Sequence, residues 1–272
     1  MNCGDMYFLD SDQAKSFREL GFAGPFDLLD VPVANSLTKV LSRAKSRMFF
    51  WHRVLSRVPL MKACFPLSRW GAAKSKKGIH AVNGDAYRLG SDRRVVERVS
   101  QVLGPDVLLC SSIVINQRPG ASHYWHYDIE ARDWNGLTVW VALANVSRKS
   151  TLQIITRSHR IPSLPPLGLS DELIVAEAQR HDAACRKLAL PAEPGQFYIL
   201  ASRLWHSSRN ESSKKRSAMV LHYCKPDVEV RWPVADLGDE TKQYIKAAYK
   251  IPCCLVSGED RHQMNLLVNP PL

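Results

Sequence analysis

At Gly104-Pro105 the chain changes character. Beyond that point it breaks into short runs rich in Val, Ile, Tyr and Trp: Val107 to Asn116, Leu137 to Ala144, Leu152 to Ile155, Gln196 to Leu200 and Ala218 to Cys224. Pro, Gly, Asn and Ser turns part them, so they read as strands. A series of short strands with few helices between them favours a sandwich or barrel over a parallel α/β sheet. The expected fold class is therefore mainly β with flanking helices. The stretch from about 161 to 194 interrupts the series with a proline turn and one helix, and reads as an insertion.

Before the break the pattern is mainly helical. Ser11 or Asp12 can cap a segment through Leu20, and Ser91 can cap SDRRVVERVSQVL, which stops at Gly104. A further helix is expected across Asp239 to Lys250. The parts are thus a helical N-terminal buttress (1–105), a β core (106–226) and a C-terminal helix and tail (227–272), expected to form one structural domain. With 272 residues, 45% of them hydrophobic, the chain can bury a core without disulfides. Its seven cysteines show no CxxC pair and read as reduced thiols. No run reaches the roughly 18 to 20 apolar residues that span a bilayer, and Asp5, Asp10 and Asp12 stand where a signal peptide needs basic and apolar residues. A cytoplasmic location is expected.

The net charge of +11 is confined to one segment. Residues 31–84 hold eleven bases and no acid, and the remaining chain balances at 26 against 26. On a helical period, Val40, Leu41, Ala44, Met48, Trp51, Leu55 and Val58 share one side, and Lys39, Arg43, Arg47, Arg53 and Arg57 share another, up to Pro59. Such a helix can cover a core with a solvated basic face. It can also rest peripherally on an anionic membrane, or draw an anionic substrate to a cleft. Without an aromatic-interleaved strand pattern or zinc-finger spacing, nucleic acid is not an expected partner.

Chemistry enters with HYWHYD. On a strand, residues two apart share a face, so His126 and Asp128 can grip one metal ion. His206, after the run Gln196 to Leu200, can supply a third ligand. Two imidazoles and one carboxylate on one side of a metal leave three positions open, the arrangement of non-heme Fe(II) oxygenases. Arg216, just before SAMVLHY, can hold a carboxylate by a two-pronged hydrogen bond. His123 is out of phase for the same face, and His222 sits mid-strand as a core or pocket residue.

In order and spacing, LGPDVLLCSS, INQRPG, WHYD, GLTVWVALANV, LQIITRSHR, PGQFYILASRLWHSSRN and Arg216 resemble the phytanoyl-CoA dioxygenase family of Fe(II)/2-oxoglutarate oxygenases, over about Ser91 to Pro226. The resemblance implies a double-stranded β-helix, or jelly roll. It implies His126, Asp128 and His206 as iron ligands, and Arg216 with Ser208 at the distal carboxylate of 2-oxoglutarate. Gln117, Thr138 and Trp140 fall at the cosubstrate, and Tyr127, Trp125, Trp134 and His222 are candidates for the substrate pocket. His159 would order a turn. Gln117 stands where the family often has Lys, Tyr127 where it often has Gln, and TRSH replaces the usual PGSH. Related halogenases replace the carboxylate ligand by a small residue, and Asp128 argues against that chemistry.

The implied activity is a dioxygenase using Fe(II), 2-oxoglutarate and O2, releasing succinate and CO2 while it hydroxylates an unactivated C–H bond. Desaturation and ring closure stay open. The basic segment leans toward an anionic or amphiphilic small molecule or lipid. The competing reading is a non-catalytic jelly-roll module that binds an anionic membrane or polymer.

Overall fold

The computed structural model describes residues 7–43, 78–128, 134–230 and 250–271. Of the basic segment, 44–77 fall outside the described residues, as does the expected helix at Asp239 to Lys250 apart from its last residue. In chain order come α1 (Ser11–Leu20), β1 (Phe22–Asp27), α2 (Val31–Arg43), a 3-10 turn (Ile79–Ala81), α3 (Gly84–Gly90), α4 (Arg93–Leu103), β2 (Val107–Gln117), β3 (Ser122–His126), β4 (Leu137–Ala144) and β5 (Leu152–Ile155). A second 3-10 turn (Ser158–Arg160), α5 (Asp171–His181), β6 (Lys187–Leu190), β7 (Gln196–Ala201), β8 (His206–Arg209), β9 (Arg216–Cys224), β10 (Pro252–Ser257) and β11 (Leu266–Leu267) complete the described elements.

Two sheets form the jelly roll, a seven-stranded one in the order β1-β7-β4-β9-β2-β10-β11 and a four-stranded one in the order β3-β8-β5-β6. The larger sheet is buried on both faces, which is why β4 and β9 show no polar alternation. On its outer face Val139, Val141, Leu143, Met219, Leu221 and Tyr223 pack with Leu41 of α2 and with Val95 and Val99 of α4. Its inner face turns Trp140, Ala142, Ala218 and Val220 toward Leu152, Ile154 and Leu190 of the smaller sheet. Helix α5 covers the smaller sheet from outside, where Ile174 and Ala178 meet Trp125, Ile155 and Trp205.

Several sequence expectations need correction. Asp10, not Ser11 or Asp12, caps α1: its side chain accepts from Gln13 N at 2.8 Å while the Gln13 side chain accepts from Asp10 N at 3.1 Å. Asp92 rather than Ser91 caps α4, accepting from Arg94 N at 2.9 Å. The mainly helical N-terminal part also supplies β1, which pairs with β7 at the edge of the larger sheet. The stretch read as an insertion supplies β6, paired with β5, and the C-terminal tail supplies β10, paired with β2. One glycine is demanded by this assembly. Gly195 has φ +99°, and a Cβ there would lie 1.9 Å from Leu29 O, so only glycine lets the chain entering β7 pass that carbonyl.

Cys110, Cys185, Cys224, Cys253 and Cys254 are buried free thiols. No described helix is long and apolar enough to cross a membrane.

Candidate metal and cosubstrate centre

His126 ends β3 and His206 begins β8, and the two are partners in the ladder. Their rings stand 4.2 Å apart between centroids. Each ring turns Nδ1 to the carbonyl two residues earlier, His126 to Tyr124 O at 2.9 Å and His206 to Leu204 O at 2.8 Å. That contact orients the ring and points Nε2 at the cavity. Asp128 lies just past β3, with Oδ1 3.8 Å from His126 Nε2 and Oδ2 3.6 Å from His206 Nε2. The ligand atoms of His126, Asp128 and His206 all lie within 4.8 Å of one another.

The electrostatics suit a cation. Burial, reinforced by His206 and His123, pushes His126 well below its ordinary value, so the ring stays neutral with a lone pair to offer. Burial works to raise Asp128, but His222 and His206 outweigh it and hold the carboxyl well below the usual carboxylate range. A neutral imidazole at His126 and an ionised carboxylate at Asp128 are what a divalent first-row metal needs of these ligands.

A cavity of about 120 Å³ opens beside the triad. Ile113, Ile115, Leu152, Leu200 and Val220 give it apolar walls, and Arg216 closes it on the larger sheet. The Arg216 guanidinium is buried, and burial lowers its pKa to about 10, so it stays charged near neutral pH. Nη2 donates to Gln117 Oε1, whereas Nε and Nη1 have no hydrogen-bond partner among the described residues. Gln117, the ladder partner of Arg216, donates through Nε2 to Ser208 Oγ at 2.9 Å. Gln117 thereby ties Arg216 to Ser208 across the two sheets. Trp140 lies beside the guanidinium, 5.7 Å from its ring centroid to Cζ.

The other candidates fall differently. Thr138 lines the cavity, but its hydroxyl is engaged by the carboxylate, donating to Asp128 Oδ2 at 2.7 Å. His222 also faces Asp128, with Nε2 3.3 Å from Oδ2. Trp125 and Tyr127, expected in the substrate pocket, lie outside the lining of the metal cavity, and Trp125 instead lines a neighbouring cavity with His123 and Ser208. Flanking His126, they turn to the other side of the chain and pack in the cluster under α5, where Trp125 Nε1 donates to Asp171 Oδ1 at 2.9 Å. Trp134 is outside the metal-cavity lining among the described residues. It is buried with Leu108, Cys110 and Cys224 and meets the edge of His222 at 6.4 Å.

His123, read as out of phase, is at the site: the β3/β8 register shifts between His123 and His126, and the His123 ring stands 4.3 Å from that of His126. A bulge of this kind re-aims side chains and leaves no mark in residue spacing. His159 sits in the turn Ser158–Arg160, its Nε2 3.3 Å from Arg18 O. Of the basic face, Lys39 and Arg43 are exposed on α2, separated from the cavity by the larger sheet, and Arg47, Arg53 and Arg57 lie outside the described residues.

A family model described as phytanoyl-CoA dioxygenase (PhyH) matches residues 66–218. No curated protein matches the sequence significantly. Among solved structures, CytC3 with Fe(II) and alpha-ketoglutarate superposes with TM-score 0.65 at 18% identity, covering 98% of this chain and 96% of that one. EctD from S. alaskensis, in its apoform, gives TM-score 0.61 at 23% identity over 83% and 80% of the two chains. The epimerase SnoN, in complex with Fe3+, alpha ketoglutarate and nogalamycin RO, gives 0.61 at 16% identity over 87% and 93%. At these identities the structural likeness establishes the jelly-roll fold.

Proposed function

The chain belongs to the phytanoyl-CoA dioxygenase family of Fe(II)/2-oxoglutarate-dependent oxygenases, and on that premise we propose that it hydroxylates an unactivated C–H bond of a small molecule, with His126, Asp128 and His206 holding Fe(II) and Arg216 holding the distal carboxylate of 2-oxoglutarate. One observation carries this reading. A fully buried guanidinium with Nε and Nη1 unpartnered among the described residues faces the cavity that the triad also lines. A buried charge without a counter-ion is costly, and a dicarboxylate reaching between the metal ligands and Arg216 supplies the missing partner. A module that merely binds a surface has no need of that arrangement.

Iron bound here would supply oxidative decarboxylation of 2-oxoglutarate by O2, yielding succinate and CO2 and the oxidising power that removes a substrate hydrogen. The protein's own contribution is placement. Arg216 and Ser208, joined by Gln117, fix one end of the diacid, and the apolar walls strip water from its methylenes. Neutral His126 and ionised Asp128 keep the ligand set in its metal-ready protonation state. His123 beside His126 lies where a substrate approaching the metal would pass.

The finer part of the proposal is an anionic or amphiphilic substrate, with peripheral contact to an anionic membrane. It rests on the eleven bases of 31–84. The described pair, Lys39 and Arg43, does not border the cavity, so the lean toward an anion stands on the sequence alone.

Calorimetric titration of 2-oxoglutarate into the Mn(II)-loaded wild-type chain tests the core reading, followed by succinate release with Fe(II) and O2. Binding that requires both the metal and Arg216 is expected. Absence of 2-oxoglutarate binding to the loaded wild type would sink the proposal.

A further inference from the structure

Asp128 is the weakly anchored member of the triad. His126 and His206 sit in a ladder, while Asp128 follows β3 in irregular chain. Its side chain is nonetheless held, and by the opposite sheet. Thr138 on β4 and His222 on β9 are ladder partners, so both point inward at one level of the larger sheet. Both meet the same carboxylate oxygen: Thr138 Oγ1 donates to Oδ2 at 2.7 Å and His222 Nε2 lies 3.3 Å from it. Among the described residues Oδ1 is paired with His126 Nε2 at 3.8 Å, and Oδ2 also lies 3.6 Å from His206 Nε2. His222 is buried and braced edge-on by Trp134.

We propose that His222 is a positioning residue, which with Thr138 fixes Oδ2 of Asp128 and so presents Oδ1 to the metal. The inference deepens the proposed reading of this site and rests on it. A monodentate carboxylate ligand has one oxygen to spare, and a hydroxyl donor and an imidazole edge set against that oxygen choose which one binds the metal and stop the group rotating away. Among the described residues the set of mutually close ligand atoms is His126, Asp128 and His206, so His222 stands behind the carboxylate and outside the ligand set. It is the larger sheet's only imidazole on the cavity among the described residues.

The test is metal binding in the absence of 2-oxoglutarate. Co(II) is titrated into the full chain, read by competition with a chelating dye and by its visible ligand-field absorption. His222→Ala is expected to weaken Co(II) 10- to 100-fold, the usual cost of removing such a support, and to shift the absorption. His222→Gln, which keeps an N–H donor, should recover most of both. Thr138→Val should weaken binding and Thr138→Ser restore it, which keeps the test usable should His222→Ala fold poorly. Because both groups serve one oxygen, the double variant should cost less than the sum of the two. Wild-type affinity and spectrum in His222→Ala would overturn the inference. So would equal losses in His222→Ala and His222→Gln accompanied by equal drops in Tm, which is the mark of packing alone. A wild-type chain that binds no Co(II) would instead bring down the reading of the triad itself.

Discussion

The two sheets reach the cavity by different means. The smaller sheet offers strands of four or five residues, and it fixes His126 and His206 locally, each ring bonded to the carbonyl two residues earlier. The larger sheet offers β4 and β9, with eight and nine residues buried throughout, and it places Arg216, Gln117, Thr138 and His222 through long-range pairing. A ligand ring that needs only its own turn can ride on a short strand. A buried guanidinium that must meet a carboxylate at the far end of a cavity needs a rigid frame. Metal binding and cosubstrate binding should therefore be separable by sheet, apart from the contact of Thr138 and His222 with Asp128.

The largest expected effect breaks the smaller sheet's half. His206→Ala removes a ligand outright and should weaken Co(II) by more than about 100-fold, beyond the loss of a supporting residue, and abolish succinate formation. Retained metal affinity would refute the local half of the comparison. Next, Arg216→Ala should leave Co(II) affinity unchanged and cost 2-oxoglutarate binding about 3 kcal/mol, roughly 100-fold, because a buried carboxylate loses its charge partner. Since Arg216 titrates near 10, cosubstrate affinity in the wild type should be insensitive to that group at neutral pH and fall as pH rises through about 10. Titration calorimetry of both ligands on both variants reads the separation directly.

The same contrast explains what the sequence could disclose. β4 is legible to the residue because all its positions but Thr138 are apolar and turn signals bound it. His126, Asp128, His206 and Arg216 are legible because their chemistry is specific and their order matches a family. By contrast β1, with Gly24 and Pro25 inside FAGPFD, looks like a loop and is a strand only because β7 lies beside it. β6 has three exposed positions in four residues, too short for any periodicity to register. His123 reaches the site through a register shift, and the role of Thr138 and His222 depends on β4 meeting β9 at one register, which spacing along the chain does not contain.

A third prediction moves to the helical layer outside the larger sheet. His80, buried in the turn Ile79–Ala81 with Nδ1 2.9 Å from Ser112 Oγ on β2, is lowered by burial from its ordinary 6.5 to about 4. Between those values the unfolded chain binds a proton that the folded chain refuses, so stability falls as pH drops from about 6.5 to 4. The full loss is about 3 kcal/mol, from 1.36 kcal/mol per pKa unit. Denaturant melts at pH 7 and pH 4.5 should differ by less in His80→Gln than in the wild type. An equal difference in both would assign the acid lability elsewhere.

The smallest expected effect tests whether the larger sheet's outer face is independent of its inner one. Tyr223 follows His222 on β9 and points outward, where its hydroxyl donates to Gly90 O at 2.9 Å. Gly90 is packed so closely that an added Cβ would lie 2.6 Å from Leu109 Cδ2, so little can shift to fill a gap. Tyr223→Phe removes one buried hydrogen bond while keeping the ring, and should cost about 1 kcal/mol, a fall in Tm of about 2 to 4 °C. Because the side chain faces away from Asp128 and Arg216, affinities for Co(II) and 2-oxoglutarate should stay within twofold of wild type. A larger change in Co(II) affinity would mean that strain at Gly90 passes through β9 to His222, so that the outer helices help to set the carboxylate ligand. In that event the division of labour between the sheets would be narrower than their geometry implies.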